Sequence, residues 1–393
     1  MKVVLAYSGG LDTSVAIKWL QDQGHEVVTF TAELGQNENL IEIKKKAEKL
    51  GAIAYAIDLR DEFVKNYVFP AIKANALYEG VYPLATALAR PLIAKHLVEI
   101  ARKEKADAVS HGCTGKGNDK VRFEVTINAL CENLKIISPI VEWGMTRDEE
   151  INYAKENNIP VKSTSESPYS IDENLWGRSC ECGILEHPEE EPPEDAYEWT
   201  TNPENAPEKP EYIEVVFEKG IPTALNGEKL NGVRLIENLN KIAGAHGIGR
   251  LDHVEDRIVG LKSREIYEAP AAVLLITAHE DLQKYVSTIH ENLFRKMVEN
   301  KWTYMVYAGL WMDPIRLELE AFINVGNERV TGKVRVKLYR GSFRIVGRES
   351  DNGIYDLNLA TYDKGDLFNQ KASEGFIELW GLQSRIYNRI HKR

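Results

Sequence analysis

Two short polar stretches of this chain hold the residue types that chemistry on a phosphate requires. The first is Ser8-Gly9-Gly10-Leu11-Asp12-Thr13-Ser14, and the second is His111-Gly112-Cys113-Thr114-Gly115-Lys116-Gly117-Asn118-Asp119-Lys120-Val121-Arg122. In the first, two glycines leave backbone N–H groups uncovered, and Asp12, Thr13 and Ser14 open an amphipathic helix. Orphan amides and the positive end of a helix dipole then point at one place, which suits an anion. The stretch lacks the Lys-Ser/Thr ending of a Walker A motif, so it does not read as an ordinary P-loop kinase or GTPase. In the second, three glycines in six positions again expose amides, while Thr114, Lys116, Asn118, Asp119 and Arg122 crowd donors, charges and acceptors into one loop. No Ser/His/Asp or Cys/His arrangement presents itself.

Both stretches follow strands. Residues 3–7 form a short buried strand, and the helix after the first loop runs through Val15, Ile17, Trp19 and Leu20. A strand at 26–32 follows the Gly24 turn; then come a helix at 40–50, a strand at 53–58 and a helical pattern at 62–77 interrupted by Pro70. Residues 76–107 begin as a loop carrying Tyr78, Tyr82, Thr86 and Arg90 and end as a long helix with Leu88, Leu92, Ile93, Leu97 and Ile100 on its apolar side. That loop is either part of a site or a helix start packed by tyrosines. A strand at 106–110 leads into the second polar loop, followed by a strand near Ile136, a helix at 146–157 with Asp148, Glu149 and Glu150 in its first turn, and Ile159-Pro160-Val161. The alternation predicts a doubly wound parallel sheet, in which ligands collect beyond the carboxyl ends of the strands. The first domain is expected to end near residue 165.

The rest reads as mixed α+β. Residues 166–185 are polar and function-bearing, with Ser170, Asp172, Glu173, Asn174, Arg178 and Ser179. Residues 186–211 are acidic and proline-rich, an extended surface stretch or linker with no chemistry assigned. A strand at 212–219, helical patterns at 233–243, 271–300 and 316–324, and a hairpin of 329–339 with 342–348 across Arg340-Gly341 follow. Residues 249–257 and 262–268 are polar enough for a site, and are otherwise exposed strand edges. Residues 375–393 place Phe376, Leu379, Trp380, Leu382, Ile386, Tyr387 and Ile390 largely on one helical face, which docks on another subunit or on its own domain.

Composition sets the bounds. A chain of 393 residues predicts two domains, and a net charge of −11 argues against a nucleic-acid partner. No apolar run is long enough for a membrane span, and a start that enters a strand directly leaves no room for a signal peptide, so the expected location is cytoplasmic. Cys113, Cys131, Cys180 and Cys182 suggest neither a disulfide scaffold nor a paired zinc motif.

SGGLDTS resembles the SGGxDS/T loop of the PP-loop ATP pyrophosphatases, which cut ATP between the α and β phosphates and activate a substrate as its adenylate. The pieces AYSGGLDTS, ALYEGVYPLATALARP, SHGCTGKGNDKVRFE, SIDENLWGRS, GIGRLDHVEDR and KSREIYEAPAA narrow the likeness, because together and in this order they resemble the argininosuccinate synthase family. The resemblance implies an adenine nucleotide alpha hydrolase-like domain at 1–165, an α+β synthetase domain at 166–363 and a helical oligomerisation arm at 364–393, in a homotetramer. It implies condensation of citrulline with aspartate using Mg2+ and ATP, with release of AMP and pyrophosphate, in arginine biosynthesis or the urea cycle. Ala6, Tyr7, Ser8, Gly9, Gly10, Leu11, Asp12, Thr13, Ser14, Ala32 and Gly112 would hold ATP. Thr114, Asn118 and Asp119 would hold aspartate, and Tyr82, Thr86, Asn118, Arg122, Ser170, Ser179, Glu255 and Tyr267 citrulline. Asp12, Lys116, Asp119 and Arg122 would carry the catalytic charges; no Mg2+ ligands are assigned. Some members have a serine where this chain has Ala87 beside Thr86, and Thr86 is the expected replacement. Another PP-loop ligase, a tRNA-modifying relative or a non-catalytic nucleotide-binding module would share the first loop without requiring the later motifs.

Overall fold

The computed structural model describes residues 1–36, 39–160, 168–363 and 366–392. Contacts divide the chain into two compact units, Met1–Asn352 and Gly353–Arg393. Val161, the domain boundaries expected near residues 165 and 364, and Glu166 lie outside the described residues.

The first unit opens as β1 (Lys2–Ala6), α1 (Leu11–Asp22), β2 (Glu26–Glu33), α2 (Leu40–Lys49) and β3 (Ile53–Asp58). After α3 (Arg60–Phe63), a π turn at Val64–Val68 and α4 (Phe69–Lys73) come α5 (Ala85–Glu104), β4 (Ala108–Ser110), α6 (Asn118–Leu130), β5 (Lys135–Ile137), α7 (Pro139–Trp143) and α8 (Arg147–Glu156). The strands form one sheet in the order β3-β2-β1-β4-β5, with every neighbouring pair parallel. Val3, Val4 and Leu5 are fully buried, which is why β1 reads as a continuous apolar run instead of an alternating one. Strand order reverses between β1 and β4, so the two polar loops leave adjacent strand ends at the topological switch point.

Two local expectations are corrected here. Pro70 does not interrupt its helix: it sits at the start of α4, and the wider π turn just before it suits a residue without an N–H donor. Thr86 and Arg90 are not in a loop but on the first turns of α5, which begins after Leu84 in a left-handed conformation (φ 67°).

The chain continues through β6 (Ser170–Asn174), β7 (Gly177–Glu181), β8 (Glu211–Glu218), β9 (Ile221–Leu225), β10 (Glu228–Lys229), α9 (Gly232–Ala245), β11 (Arg250–Asp256) and β12 (Lys262–Glu268). It then forms α10 (Pro270–Tyr285), α11 (Ile289–Tyr307), α12 (Pro314–Asn327), β13 (Gly332–Tyr339) and β14 (Ser342–Glu349). One sheet runs β11-β12-β7-β6 and another β10-β9-β8-β13-β14, both antiparallel. The polar stretch 262–268 is therefore an interior strand. The expected single helix at 271–300 is two, because Thr288 and Glu291 form a capping box that starts α11 afresh.

Residues 186–211 are mostly exposed, and one short part of them is held firmly. The Glu268 carboxylate, fully buried, accepts from the N–H groups of Glu198, Trp199 and Thr200 at 2.9 Å each, from Thr200 Oγ1 at 2.6 Å and from Arg178 Nη1 at 2.9 Å. That clasp ties the stretch to β7 and β12. All four cysteines are free. The second unit holds α13 (Leu357–Ala360), and α14 (Ala372–Trp380) and α15 (Leu382–Ile390) replace the single terminal helix expected, with Gly381 between them. Their apolar side chains, Trp380 and Ile390 among them, are exposed. No helix among the described residues is long and apolar enough to cross a membrane.

Candidate active site

The loop between β1 and α1 leaves the start of the helix uncapped, while its own Gly10 N–H donates to Ser8 Oγ at 3.3 Å. Gly9 takes φ +83°, a conformation that L side chains avoid, and a Cβ there would meet Ile43 at 3.2 Å. Gly10 caps α1 without any side-chain hydrogen bond, so the first-turn N–H groups are left for a ligand. Ser8 Oγ lies 3.1 Å from Thr13 Oγ1, and buried Ser14 donates to the Gly10 carbonyl at 2.6 Å, which stiffens the turn from within. Lys46 on α2 reaches the Gly9 carbonyl at 2.5 Å, and Arg147 at the start of α8 pairs with Asp12 at 2.5 Å.

A cavity of about 590 Å³ opens beside this loop. Ala6, Tyr7, Ser8, Gly10 and Thr13 line one wall, Phe30 and Ala32 of β2 another, and Gly112, Asp119 and Ser170 a third. Gly9, Leu11, Asp12 and Ser14 do not line it: Leu11 and Ser14 are buried behind the loop. Thr114 and Lys116 stand exposed at the tip of the second loop, and the Lys116 carbonyl accepts from Arg257 at 3.4 Å.

Where the second loop becomes α6, charge is concentrated. Asp119 accepts from Arg90 Nε and from Arg122 Nη1, both at 2.8 Å, and Arg90 also pairs with Asp172 on β6. Burial alone would raise the Asp119 carboxyl, but the two guanidiniums outweigh it and hold it down at about 2. Because that value lies below the ordinary 3.8, the stabilisation is fully present above about pH 4 and is lost as the pH falls toward 2. It amounts to about 2 kcal/mol. Urea unfolding midpoints measured from pH 5 to pH 2 are expected to fall more steeply for the native chain than for Asp119→Asn; parallel curves would refute the pairing.

A second cluster lies deeper. Tyr82 stacks on Tyr267 at 4.3 Å, and its hydroxyl lies 2.7 Å from Thr86 Oγ1 and accepts from the Thr86 N–H. The Tyr267 hydroxyl reaches both Glu255 (2.7 Å) and Glu265 (2.8 Å). One phenol hydrogen thus bridges two carboxylates, and burial, then Glu255 and Glu181, push Glu265 up to about 8. Glu255, 2% exposed, has no cation within ion-pair distance among the described residues. Arg122, 3% exposed, donates from Nε to the Tyr307 carbonyl (3.0 Å) and from Nη1 to Asp119 and Thr86, while its Nη2 is buried with no acceptor among the described residues. Ser179 faces this cluster from β7, opposite Tyr267 in the sheet.

Tyr82, Thr86, Asn118, Asp119, Arg122, Ser179, Glu255 and Tyr267 thus form one neighbourhood next to the cavity. Arg90 carried no expected role, although it stands four residues after Thr86 and so shares one side of α5 with it. Lys46 and Tyr307 carried no local signal.

Two family models cover most of the chain: the arginosuccinate synthase N-terminal HUP domain matches residues 2–160, and the arginosuccinate synthase C-terminal domain matches residues 169–387. A protein of Dictyoglomus thermophilum named argininosuccinate synthase is 58% identical over 388 residues, 98% of this chain and 97% of that one. Proteins of the same name from Pyrococcus furiosus and Bacillus thuringiensis are 55% and 53% identical, over 100% of this chain and 95% and 98% of theirs.

Proposed function

We propose, for a chain that belongs to the argininosuccinate synthase family of ligases, that it activates citrulline with ATP as a citrullyl-adenylate and releases pyrophosphate and then AMP as aspartate is joined. Membership itself carries the coarser statement, a ligase that joins citrulline and aspartate in arginine biosynthesis. The observation that favours the finer reading is the pair of opposite vacancies beside the cavity. Arg122 Nη2 is a buried donor with no acceptor, and Glu255 is a buried carboxylate with no cation among the described residues. A buried donor without an acceptor and a buried carboxylate without a counter-charge are both costly, and the carboxylate and ammonium of an amino acid would complete them.

In this reading the uncapped N-terminus of α1 receives the phosphates, and Ala6 and Ala32 flank the adenine. Tyr82, Thr86, Ser170, Ser179, Tyr267, Arg122 and Glu255 orient citrulline so that its ureido oxygen attacks the α-phosphorus in line with departing pyrophosphate. Thr114, Asn118 and Asp119 hold aspartate, with the charged Asp119 facing its amine. No protein group forms a covalent bond; alignment of three substrates and preorganised charge lower the barrier. Lys116, on its exposed loop tip, would have to fold inward to meet phosphate. Among the described residues no three acidic, His or Cys side chains converge on a metal position. In this reading Mg2+ arrives on the triphosphate, since Mg2+ usually keeps its waters and takes one or two carboxylates plus substrate phosphates. Asp12, the carboxylate of the loop, is paired with Arg147 and does not line the cavity, so no side chain is assigned to the ion, which would neutralise phosphate charge. A cytoplasmic homotetramer assembled through the C-terminal arm belongs to the same proposal.

The test is AMP and pyrophosphate release from Mg-ATP with citrulline and aspartate omitted singly and together. Multiple turnovers that require both amino acids and yield AMP are expected. ADP as product, or turnover without citrulline, would overturn the reading.

A further inference from the structure

Tyr307, the last residue of α11, touches three of the residues just assigned to the amino-acid site. Its hydroxyl donates to Glu255 Oε1 at 2.7 Å, with the Asp256 carbonyl also in reach at 3.0 Å, and accepts from Asn118 Nδ2 at 2.8 Å. Its carbonyl accepts from Arg122 Nε at 3.0 Å, and its ring lies 4.9 Å from the Arg122 guanidinium and stacks on Tyr78. Asn118 Oδ1 accepts from the Ile258 N–H at 2.9 Å, so both ends of that amide have partners and its orientation is set.

The arrangement depends on how closely the end of α11 approaches α6. Gly309 has φ +75°, and a Cβ there would stand 2.8 Å from Arg122 Cα. With the helix end pressed this close, Tyr307 occupies Arg122 Nε by its main chain and Asn118 Nδ2 by its side chain. Nη1 is taken by Asp119 and Thr86. What remains on the guanidinium is Nη2, and Glu255, hydrogen-bonded by Tyr267 and Tyr307, has no cation within ion-pair distance among the described residues.

Resting on the citrulline reading above, we infer that Tyr307 is a positioning residue for citrulline: it holds the Arg122 donor and the Glu255 carboxylate in the fixed mutual geometry that an α-amino acid zwitterion matches. Asn118 and Arg122 come from the nucleotide-binding half and Glu255 from the antiparallel sheet, so one hydroxyl couples the two halves of the site. Tyr307 does not itself contact the reacting atoms.

Tyr307→Phe keeps the ring against Tyr78 and Arg122 and removes only the hydroxyl. Calorimetric titration with citrulline is expected to show about tenfold or greater loss of affinity, as for loss of a hydrogen bond to a charged group. ATP affinity should change less than about twofold, and KM for citrulline should move more than kcat. In a Glu255→Gln background the same substitution should cost clearly less, because the partner of the hydroxyl is already altered. Gly309→Ala is the second variant: it displaces the α11 end without removing any group near substrate, and the same selective loss is expected. Unchanged citrulline affinity in folded Tyr307→Phe, or equal loss of citrulline and ATP binding, overturns the inference while leaving the proposed function standing. Native protein that binds no citrulline sinks both.

Discussion

Glu268→Ala is expected to destabilise the protein by about 3–5 kcal/mol, the range for breaking a buried ion pair from one side. The Arg178 guanidinium, 3% exposed, would lose its bond to Glu268, and the N–H groups of Glu198, Trp199 and Thr200 would lose their acceptor together. Chemical denaturation followed by intrinsic fluorescence reads the effect as a lower midpoint. Glu268→Gln should fall between, since an amide keeps one acceptor oxygen but points an NH2 group at donors. Replacing Arg178 and Glu268 together by apolar residues should recover part of the loss and no more, because the three backbone donors stay unmatched. A shift under about 1 kcal/mol for Glu268→Ala would mean that water or a rearranged strand replaces the clasp. Glu268 follows Tyr267 directly in β12, and Arg178 pairs with it across the sheet one position from Ser179. Loss of the clasp is therefore expected to weaken citrulline binding as well as the fold.

Arg122→Ala is expected to lower kcat/KM for citrulline by about 10²- to 10⁴-fold, the cost of truncating one member of a buried, hydrogen-bonded charge pair. Steady-state kinetics with citrulline varied at saturating ATP and aspartate measures it. Arg122→Lys should rescue little. Three separate nitrogens of the guanidinium are committed in different directions, two to protein acceptors and one unfilled, and an ammonium on a flexible stem does not reproduce that fork. KM for ATP should change far less, because Arg122 does not line the cavity beside the Gly9 loop. A citrulline kcat/KM within tenfold of the native value would remove Arg122 from the site.

The sheet was legible because its signals are local. Apolar runs at residues 3–7, 26–32 and 53–58, glycine at the first turn and helical periodicity between them each depend on neighbours in sequence, and parallel order follows from their alternation. The same locality explains the misses. Nothing in residues 271–300 except Thr288 and Glu291 marks a break, and an apolar pattern continues through it in register with one long helix. Thr86 and Arg90 read as loop because tyrosines and Pro83 precede them, whereas burial of Leu84, Ala85 and Leu88 decides where α5 begins.

For the site, residue types at 8–14 and 111–122 were enough to name an anion loop and a polar partner loop, since backbone freedom, helix-start chemistry and charge are written in consecutive residues. The sequence by itself thus determined the doubly wound nucleotide layer and the kind of chemistry it serves. Only the tertiary structure decided which charges are left over. Among the described residues Asp119 is matched by Arg90, Arg122 keeps one donor unfilled, and Glu255 lies among tyrosines without a cation, the last of them Tyr307, 189 residues beyond Asn118. Periodicity states which side of a helix is apolar. It does not state where that helix ends in space, and a hydrogen bond of 2.7 Å to Glu255 depends on that end point.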